Sequence, residues 1–521
     1  MSFLTRLLAA TLLLGAARAE AETTLRIVLV NDLVSLDPVA STAAFVRNHG
    51  FLVYDQLFAL DSKGEAKPEM VETFTTSPDG RNWRFTLRPG LMFHDNTPVR
   101  AADAVASIRR WGARDVVGKA LMAATASLET VDDRSFTLTL ARPFALVTEA
   151  LARPTASALF VMPERLASTS PTVPITDATG SGPFVFEPAA WRPGNIAVYH
   201  RNTAYTPRAE PPDGLAGGKV AMVDRVEWIT MPDAATAAAA LQKGEVDYVE
   251  QPNPDLMPLL RANKDIKLEA INPIGFDIWL RINHTLPPFN DPRARQALLY
   301  LVDQKENLDA AGAQPSEQVP YCPAWFMCGT PLESSAGARG LQRIDIPRAK
   351  ALLAEAGYKG ERVVFLDPTD QPVNHAATLT MAQNFRAAGL NMDVIAMDWG
   401  SVTQRRNKRD PIDQGGWNLF ITLANVLDGS SPLTNLYLAS PCENGIAGWP
   451  CDPKLEELRR AWWEESDPTK RHALLDQVQA RGFEVLPYIN GGQFRTLAAF
   501  RTNLDGVRDT TIPVFYGVAK K

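Results

Sequence analysis

Apolar and polar residues alternate in several short segments of the first half of the chain, as they do along half-buried β-strands. The clearest case is residues 83–88, where Trp, Phe and Leu alternate with Arg and Thr directly after the turn-forming pair Asp79-Gly80. Residues 24–30 are mostly aliphatic and predict an early core strand. The alanine-rich residues 234–241 instead predict a helix, so this half mixes both kinds of element.

The second half alternates predicted strands with predicted helices. Residues 277–283 and 362–366 have the pattern of strands, residues 376–388 that of a helix, and residues 391–397 that of a further strand. A strand, a helix and a strand in succession pack as a βαβ unit with parallel strands. The chain therefore predicts an α/β fold.

Length and composition indicate a large globular protein. The 521 residues are sufficient for about two to four domains or lobes. A hydrophobic content of 45% and a charged content of 21% are ordinary for a globular chain. The formal net charge of -6 argues against nucleic-acid binding, which requires a basic face.

The N-terminus has the pattern of a secretory signal peptide. Arg6 precedes an apolar run at residues 7–17, and Ala17-Arg18-Ala19 and Ala19-Glu20-Ala21 both fit signal peptidase cleavage. A buried N-terminal helix is the alternative. No Cys follows the run closely, and no later segment reaches ~18 uninterrupted apolar residues. We expect residues 1–21 to be removed and the mature protein to be free in the periplasm.

The four cysteines fit an exported protein with disulfide bonds. Three pairings are possible, and the local one joins Cys322 to Cys328 and Cys442 to Cys451. A four-cysteine zinc site is the alternative, although the spacings are wider than the usual two residues between ligands.

Residues 77–109 are the most informative segment. They contain Asp-Gly-Arg-Asn-Trp-Arg-Phe-Thr-Leu-Arg-Pro-Gly and then Phe-His-Asp-Asn-Thr-Pro, which closely resembles a stretch of the solute-binding proteins that serve peptide and nickel ABC importers. Further matches follow in the order of that family along essentially the whole mature chain: Leu36-Asp37-Pro38, residues 180–184, Arg201-Asn202, and residues 243–247, 288–297 and 349–358. The chain therefore resembles the members of extracellular solute-binding protein family 5, of the oligopeptide/dipeptide-binding type.

The resemblance implies a two-lobed periplasmic-binding-protein fold with hinge closure. It also implies an extra β-rich subdomain on lobe I. Residues 1–21 are expected to be a signal peptide. Lobe I is expected in three parts, residues 22–57, 181–272 and 490–521. The subdomain is expected at residues 58–180 and lobe II at residues 273–489. The expected crossings between the lobes are residues 271–273 and 489–492.

The resemblance further implies a function and partners. A monomeric periplasmic protein would bind a peptide or peptide-like solute between its lobes and deliver it to an inner-membrane ABC permease. Oligosaccharides and nickel chelates are alternative ligands within the same family. A secreted hydrolase and a periplasmic chaperone are alternatives of other classes.

In oligopeptide-binding members an acidic residue shortly after a Trp-containing strand holds the amino terminus of the ligand. The corresponding segment here begins at Trp417 and ends at Asp428, and Asn425 occupies the position of that acid. An amide accepts a hydrogen bond from an ammonium group but does not neutralise its charge. Asp428 is the expected substitute.

Other candidate ligand contacts each have a structural alternative. Trp399 follows a predicted strand and either faces the ligand or packs at the strand end. The basic run from Arg405 to Arg409 either meets a ligand carboxylate or forms a solvated helix face. The remaining candidates are aromatic residues beside a predicted disulfide and hydroxyl residues near the expected cleft edge: Tyr321, Trp325, Ser41 and Thr42.

The sequence carries no recognisable enzyme motif. Gly180-Ser181-Gly182 lacks the glycine spacing of a nucleophile elbow, and the chain has neither a phosphate-binding loop with Lys nor an H-E-x-x-H motif. Its six histidines are scattered without metal-ligand spacing. We therefore expect no catalysis, no cofactor and no metal site.

Overall fold

The computed structural model describes residues 22–41, 43–154, 157–272, 274–442 and 445–521. The predicted signal peptide at residues 1–21 and the candidate Thr42 lie outside these ranges. No helix within the described ranges is both long enough and apolar enough to cross a lipid bilayer.

The elements alternate along the chain as the sequence pattern predicts for an α/β protein. The strands are β1 (Thr24–Val28), β2 (Phe58–Leu60), β3 (Ala66–Pro68), β4 (Val71–Thr76), β5 (Asn82–Leu87), β6 (Thr125–Thr130), β7 (Ser135–Leu140), β8 (Phe184–Phe186), β9 (Ile196–Arg201), β10 (Arg225–Ile229), β11 (Tyr248–Val249), β12 (Ile266–Ala270), β13 (Phe276–Ile282), β14 (Arg362–Pro368), β15 (Asn391–Met397), β16 (Leu419–Asn425), β17 (Tyr488–Phe494), β18 (Leu497–Arg501), β19 (Leu504–Asp505) and β20 (Ala519–Lys520). The helices are α1 (Ala44–Val53), α2 (Ala101–Gly112), α3 (Val116–Ala124), α4 (Val147–Ala152), α5 (Glu164–Ala167), α6 (Ala234–Lys243), α7 (Met257–Arg261), α8 (Pro292–Leu299), α9 (Gln304–Ala310), α10 (Ile346–Glu355), α11 (Pro372–Ala387), α12 (Trp399–Arg405), α13 (Val426–Gly429), α14 (Pro453–Glu464) and α15 (Pro468–Val485).

A seven-stranded sheet forms lobe I, with the order β12-β18-β11-β1-β10-β9-β8. β1 lies at its centre and pairs in parallel with β10 and β11. The outer strands pair antiparallel. Because β1 and β18 come from opposite ends of the chain, this sheet is assembled from non-contiguous segments.

A five-stranded sheet forms lobe II, with the order β15-β14-β16-β13-β17. β14 and β15 pair in parallel and α11 connects them, which confirms the βαβ unit that the sequence pattern predicts. The chain returns to lobe I between β17 and β18. The sequence analysis placed this crossing at residues 489–492. These residues instead belong to β17, which pairs with β13 in lobe II, so the crossing lies after them.

The subdomain carries a four-stranded antiparallel sheet, β4-β5-β7-β6. The predicted alternation in β5 is confirmed, since Phe85 and Leu87 are buried while Arg84 is exposed and Thr86 is half-buried. The Phe85 ring stacks on Phe136, with 5.0 Å between the centroids. One continuous cluster of buried apolar side chains runs from the subdomain into lobe II, and lobe I has a core of its own. The subdomain therefore packs directly on lobe II.

Both predicted disulfides are confirmed. Cys322 is bonded to Cys328 and Cys442 to Cys451, so each bond closes a short local loop. All four sulfurs are used in these bonds, which rules out the four-cysteine zinc site.

The buried ion pair between Asp37 and Arg110 joins lobe I to the subdomain. The Arg110 guanidinium in α2 donates to both Asp37 carboxylate oxygens, at 3.0 and 2.7 Å, and both side chains are almost fully buried. The backbone N–H groups of Val39 and Ile175 also donate to this carboxylate. Burial raises the pKa of Asp37, but these hydrogen bonds outweigh it and hold the pKa below its usual value.

We predict that Arg110→Met lowers the free energy of unfolding by about 3–5 kcal/mol, because it leaves the Asp37 carboxylate buried without a cation. Urea denaturation followed by circular dichroism measures this change. Arg84→Met is the matched control, because Arg84 forms an exposed ion pair with Asp132 in the same subdomain. Equally small midpoint shifts for both variants would show that the buried pair does not hold the subdomain in place.

Candidate functional site

A cavity of about 620 Å³ lies between the two sheets and is lined by residues of both lobes. Lobe I contributes segments that follow the carboxyl ends of β1 and β11, including Val30, Asn31 and Glu250. Lobe II contributes Asn425 at the end of β16 and Asp428 in α13. Ligands of α/β proteins bind at the carboxyl ends of parallel strands, and this cavity has that position in lobe I.

Arg47 in α1 is the buried cation of this cavity. It lines the cavity and its side chain is only 5% exposed. Burial lowers the pKa of Arg47, and the carboxylates of Asp428 and Glu250 oppose that change. A guanidinium nevertheless stays protonated in a protein, so Arg47 carries a positive charge into the cavity wall.

The carboxylates of Asp428 and Glu250 both interact electrostatically with Arg47. Burial raises the pKa of Asp428, Arg47 opposes the increase and Asp115 adds to it. Burial also raises the pKa of Glu250. Two groups oppose this increase: the backbone N–H of Val30, which donates to the Glu250 carboxylate at 3.0 Å, and Arg47. Arg47 therefore interacts electrostatically with two acidic groups, one from each lobe. Glu317 and Arg495 also line the cavity.

Several buried polar atoms of the cavity wall have no hydrogen-bond partner within the described part of the chain. They are Arg47 Nε, Asn48 Oδ1 and Trp228 Nε1 in lobe I, and Glu317 Oε1 in lobe II. A buried polar group without a partner destabilises the folded protein, and such groups at a cavity wall are usually satisfied by water or by a ligand. This wall is therefore suited to a polar ligand with both donors and acceptors.

Of the residues that the sequence analysis proposed as ligand contacts, Asn425 and Asp428 line the cavity. Trp399 lies at the start of α12 and packs against a separate cluster that contains Val402 and Phe420. The Arg406 guanidinium lies over the Trp399 ring, 5.6 Å from its centroid. Trp399 is therefore not part of the cavity lining.

The other tryptophan candidates lie in the cores. Trp417 is fully buried and packs on Phe420, with 5.1 Å between the ring centroids. Trp325 is buried on Phe483 and its indole N–H donates to the backbone carbonyl of Gln479. Both side chains stabilise lobe II and neither lines the cavity.

Tyr321, Ser41 and Arg405 also lie outside the cavity lining. Tyr321 is half-buried against the core of lobe II. The Ser41 hydroxyl accepts a hydrogen bond from the backbone N–H of Ala43, just before α1. In the basic run, Arg405 donates to the backbone carbonyls of Gly415 and Gly416, so it holds a loop.

The residues of the site that the sequence analysis missed include Arg47, Trp228 and Glu250. Arg47 carries the one signal that was available, because it is a charged residue in a helix whose other residues are mostly apolar, Ala-Phe-Val-Arg-Asn-His-Gly-Phe-Leu-Val. Such a charge in a buried helix requires a partner or a ligand. Nothing in the local sequence distinguishes Trp228 or Glu250 from other strand residues.

Arg153 connects the subdomain to lobe II. Its guanidinium donates to the Ser430 hydroxyl at 2.5 Å and to the Thr434 hydroxyl at 3.4 Å. Burial lowers the pKa of Arg153 to about 10, and Asp115 and Glu149 oppose that change. The contact holds the loop after α13, and therefore the segment that carries Asp428, against the subdomain.

Comparison with known proteins places the chain in a family. Residues 65–445 match the bacterial extracellular solute-binding proteins, family 5. The chain is also 38% identical, over 98% of its length and 96% of the relative's, to the probable peptide ABC transporter periplasmic-binding protein y4tO of Sinorhizobium fredii. The chain belongs to extracellular solute-binding protein family 5. Members of this family are substrate-binding transport proteins and not enzymes.

Solved structures agree with the fold of this family 5 protein. The periplasmic binding protein AgaA from A. tumefaciens R10, in complex with agropinic acid, matches with a TM-score of 0.75 at 22% identity, over 96% of this chain and 99% of AgaA. DppA from Helicobacter pylori, in complex with the peptide STSA, matches with a TM-score of 0.72 at 19% identity, over 96% and 98% of the two chains. The two-lobed periplasmic-binding-protein fold is thereby confirmed.

We predict that Arg153→Met gives the ligand-free family 5 protein a larger radius of gyration, because it removes hydrogen bonds between the subdomain and lobe II. Small-angle X-ray scattering measures this change. Arg142→Met is the matched control, since Arg142 is exposed in the same subdomain. Superimposable scattering curves for the two variants would show that Arg153 does not hold the subdomain against lobe II.

Proposed function

We propose that this protein is the periplasmic solute-binding component of an ABC importer and binds a peptide or peptide-like solute in the cavity between its lobes. The observation that carries the proposal is the charge pattern of that cavity: Arg47 and Glu250 lie on lobe I, and Asp428 on lobe II. Charged groups on both lobes allow one ligand to hold them together, as hinge closure requires. Lobe closure would then present the loaded protein to its permease.

Family relationships support a peptide as the ligand. The 38% identical relative y4tO is described as a probable peptide ABC transporter protein, and the Helicobacter pylori DppA structure contains a tetrapeptide. The cavity of about 620 Å³ lies inside the ~300–1,000 Å³ range of small-molecule sites, which suits a short peptide. We infer that Asp428 takes the ammonium group of that peptide, because Asn425 at the position of the family acid is uncharged.

The proposal also covers secretion and assembly. We infer that the leader at residues 1–21 directs export to the periplasm. We also infer that the mature protein works as a monomer, with an inner-membrane permease as its partner. We also infer that lobe II extends through the whole of β17 before the chain returns to lobe I.

A thermal-shift screen of the mature protein tests the ligand class. A ligand that binds only the folded state raises the melting temperature. At a ligand concentration of 100 Kd, it increases the free energy of unfolding by about 2.7 kcal/mol. We expect short peptides to raise the midpoint and neutral oligosaccharides and nickel–histidine chelates to leave it unchanged. A shift from an oligosaccharide or a nickel chelate but from no peptide would contradict the proposed ligand class and leave the family unaffected.

Two variants test which residues contact the peptide. We expect Asp428→Asn to weaken peptide binding by roughly 10-fold or more, because it removes a charge-assisted hydrogen bond of about 1.5–3 kcal/mol. We expect Trp399→Ala to leave the affinity unchanged, because Trp399 does not line the cavity. Isothermal titration calorimetry provides both values. The opposite ranking of the two variants would place the ligand at Trp399 instead.

A further inference from the structure

Buried arginines elsewhere in lobe II show how this protein satisfies a guanidinium that has only a structural role. Arg281 donates to the backbone carbonyls of Tyr437 and Ala447, at 3.1 and 2.7 Å. Arg295 donates to those of Val485 and Phe289, at 2.9 and 2.7 Å. In each case the protein supplies at least two backbone carbonyl acceptors, although Arg281 Nε is buried without a partner among the described residues.

Arg47 is buried to a similar degree but has no such acceptors. Among the described residues, no hydrogen bond from its side chain and no ion pair within 4 Å is present, and its Nε is buried without a partner. The carboxylates of Asp428 and Glu250 both interact electrostatically with it. The guanidinium is therefore held at the cavity wall with its donors unused.

A second unused donor lies in the same wall. Trp228 is 1% exposed, and its indole N–H has no acceptor within the described ranges. Arg47 and Trp228 both belong to lobe I and both require an acceptor. A carboxylate is the ligand group that accepts several hydrogen bonds at once and also neutralises a guanidinium.

The acidic groups limit which anionic ligands fit. The lining carries three acidic residues, Glu250, Glu317 and Asp428, and a second arginine, Arg495, which is exposed. A ligand with a carboxylate alone would add a further negative charge beside these acidic residues. A ligand that also carries an ammonium group balances those carboxylates. The cavity therefore favours a solute with one group of each sign.

We propose that Arg47 is a specificity-determining residue that binds the carboxylate of the ligand, so that this protein selects short solutes bearing both a free carboxylate and an ammonium group. This inference rests on the proposed function and deepens it. It assigns the carboxyl end of a peptide to lobe I and its amino end to the Asp428 side of the cavity.

Three libraries of randomised tripeptides test the inference: one with free termini, one with C-terminal amides and one with N-terminal acetyl groups. The thermal-shift response of the wild-type protein to each library is measured first. The tripeptide with the largest effect is then titrated by calorimetry in its three forms. We expect amidation to weaken binding by roughly 10- to 100-fold, because it removes a charge-assisted, bidentate contact. We expect acetylation to weaken binding by a comparable factor.

Variants of Arg47 assign the amidation effect to this residue. In Arg47→Met the free and amidated tripeptides should bind equally well, because the partner of the carboxylate is gone. Arg47→Lys should keep part of the preference for the free peptide, since Lys retains the charge but not the planar fork. Arg261→Met is the matched control, because Arg261 is exposed at the end of α7 in the same lobe. It should keep the full preference.

The outcomes separate this inference from the proposed function. If the free and amidated tripeptides bind the wild-type protein equally, or if Arg47→Met keeps the preference, the assignment of Arg47 is overturned while peptide binding stands. If no library raises the melting temperature, the proposed function fails and the inference fails with it. Should Arg47→Met not fold, Arg47→Lys and the wild-type comparison still decide the question.

Discussion

The buried guanidinium of Arg47 is the group on which the binding arrangement depends. A charge in a protein interior is costly unless it is paired and hydrogen-bonded. Arg47 interacts electrostatically with the carboxylates of Glu250 and Asp428 but forms no ion pair with either within 4 Å among the described residues. Because one of these acids is on each lobe, a solute that satisfies all three groups also stabilises the closed arrangement of the lobes.

The fold brings these three groups together from distant parts of the chain. Arg47 is on α1, Glu250 directly follows β11 and Asp428 follows β16. Two further contacts hold the surrounding parts in place. The Asp37–Arg110 pair joins the segment before α1 to the subdomain, and Arg153 joins the subdomain to the loop after α13. The subdomain thus acts as a structural connection between the lobe that carries Arg47 and the lobe that carries Asp428.

The architecture was accessible from the sequence because it depends on local patterns. The β14–α11–β15 unit, the alternation in β5 and both disulfides involve residues close in sequence. Only part of the site was accessible, because its residues meet across long separations. Asp428 was found through its position after a strand. Trp399 and Trp325 are of a residue type that is common in ligand sites, but their side chains pack against other side chains. Arg47 was missed because its role depends on carboxylates some 200 and 380 residues away in the chain.

A crystal structure of the mature protein with a bound tripeptide that has free termini tests the central claim most directly. The account predicts that the peptide carboxylate lies within hydrogen-bond distance, about 2.7–3.0 Å, of the Arg47 guanidinium, and that the ammonium group faces Asp428. A peptide bound in the reverse direction, or one whose carboxylate lies away from Arg47, would contradict it.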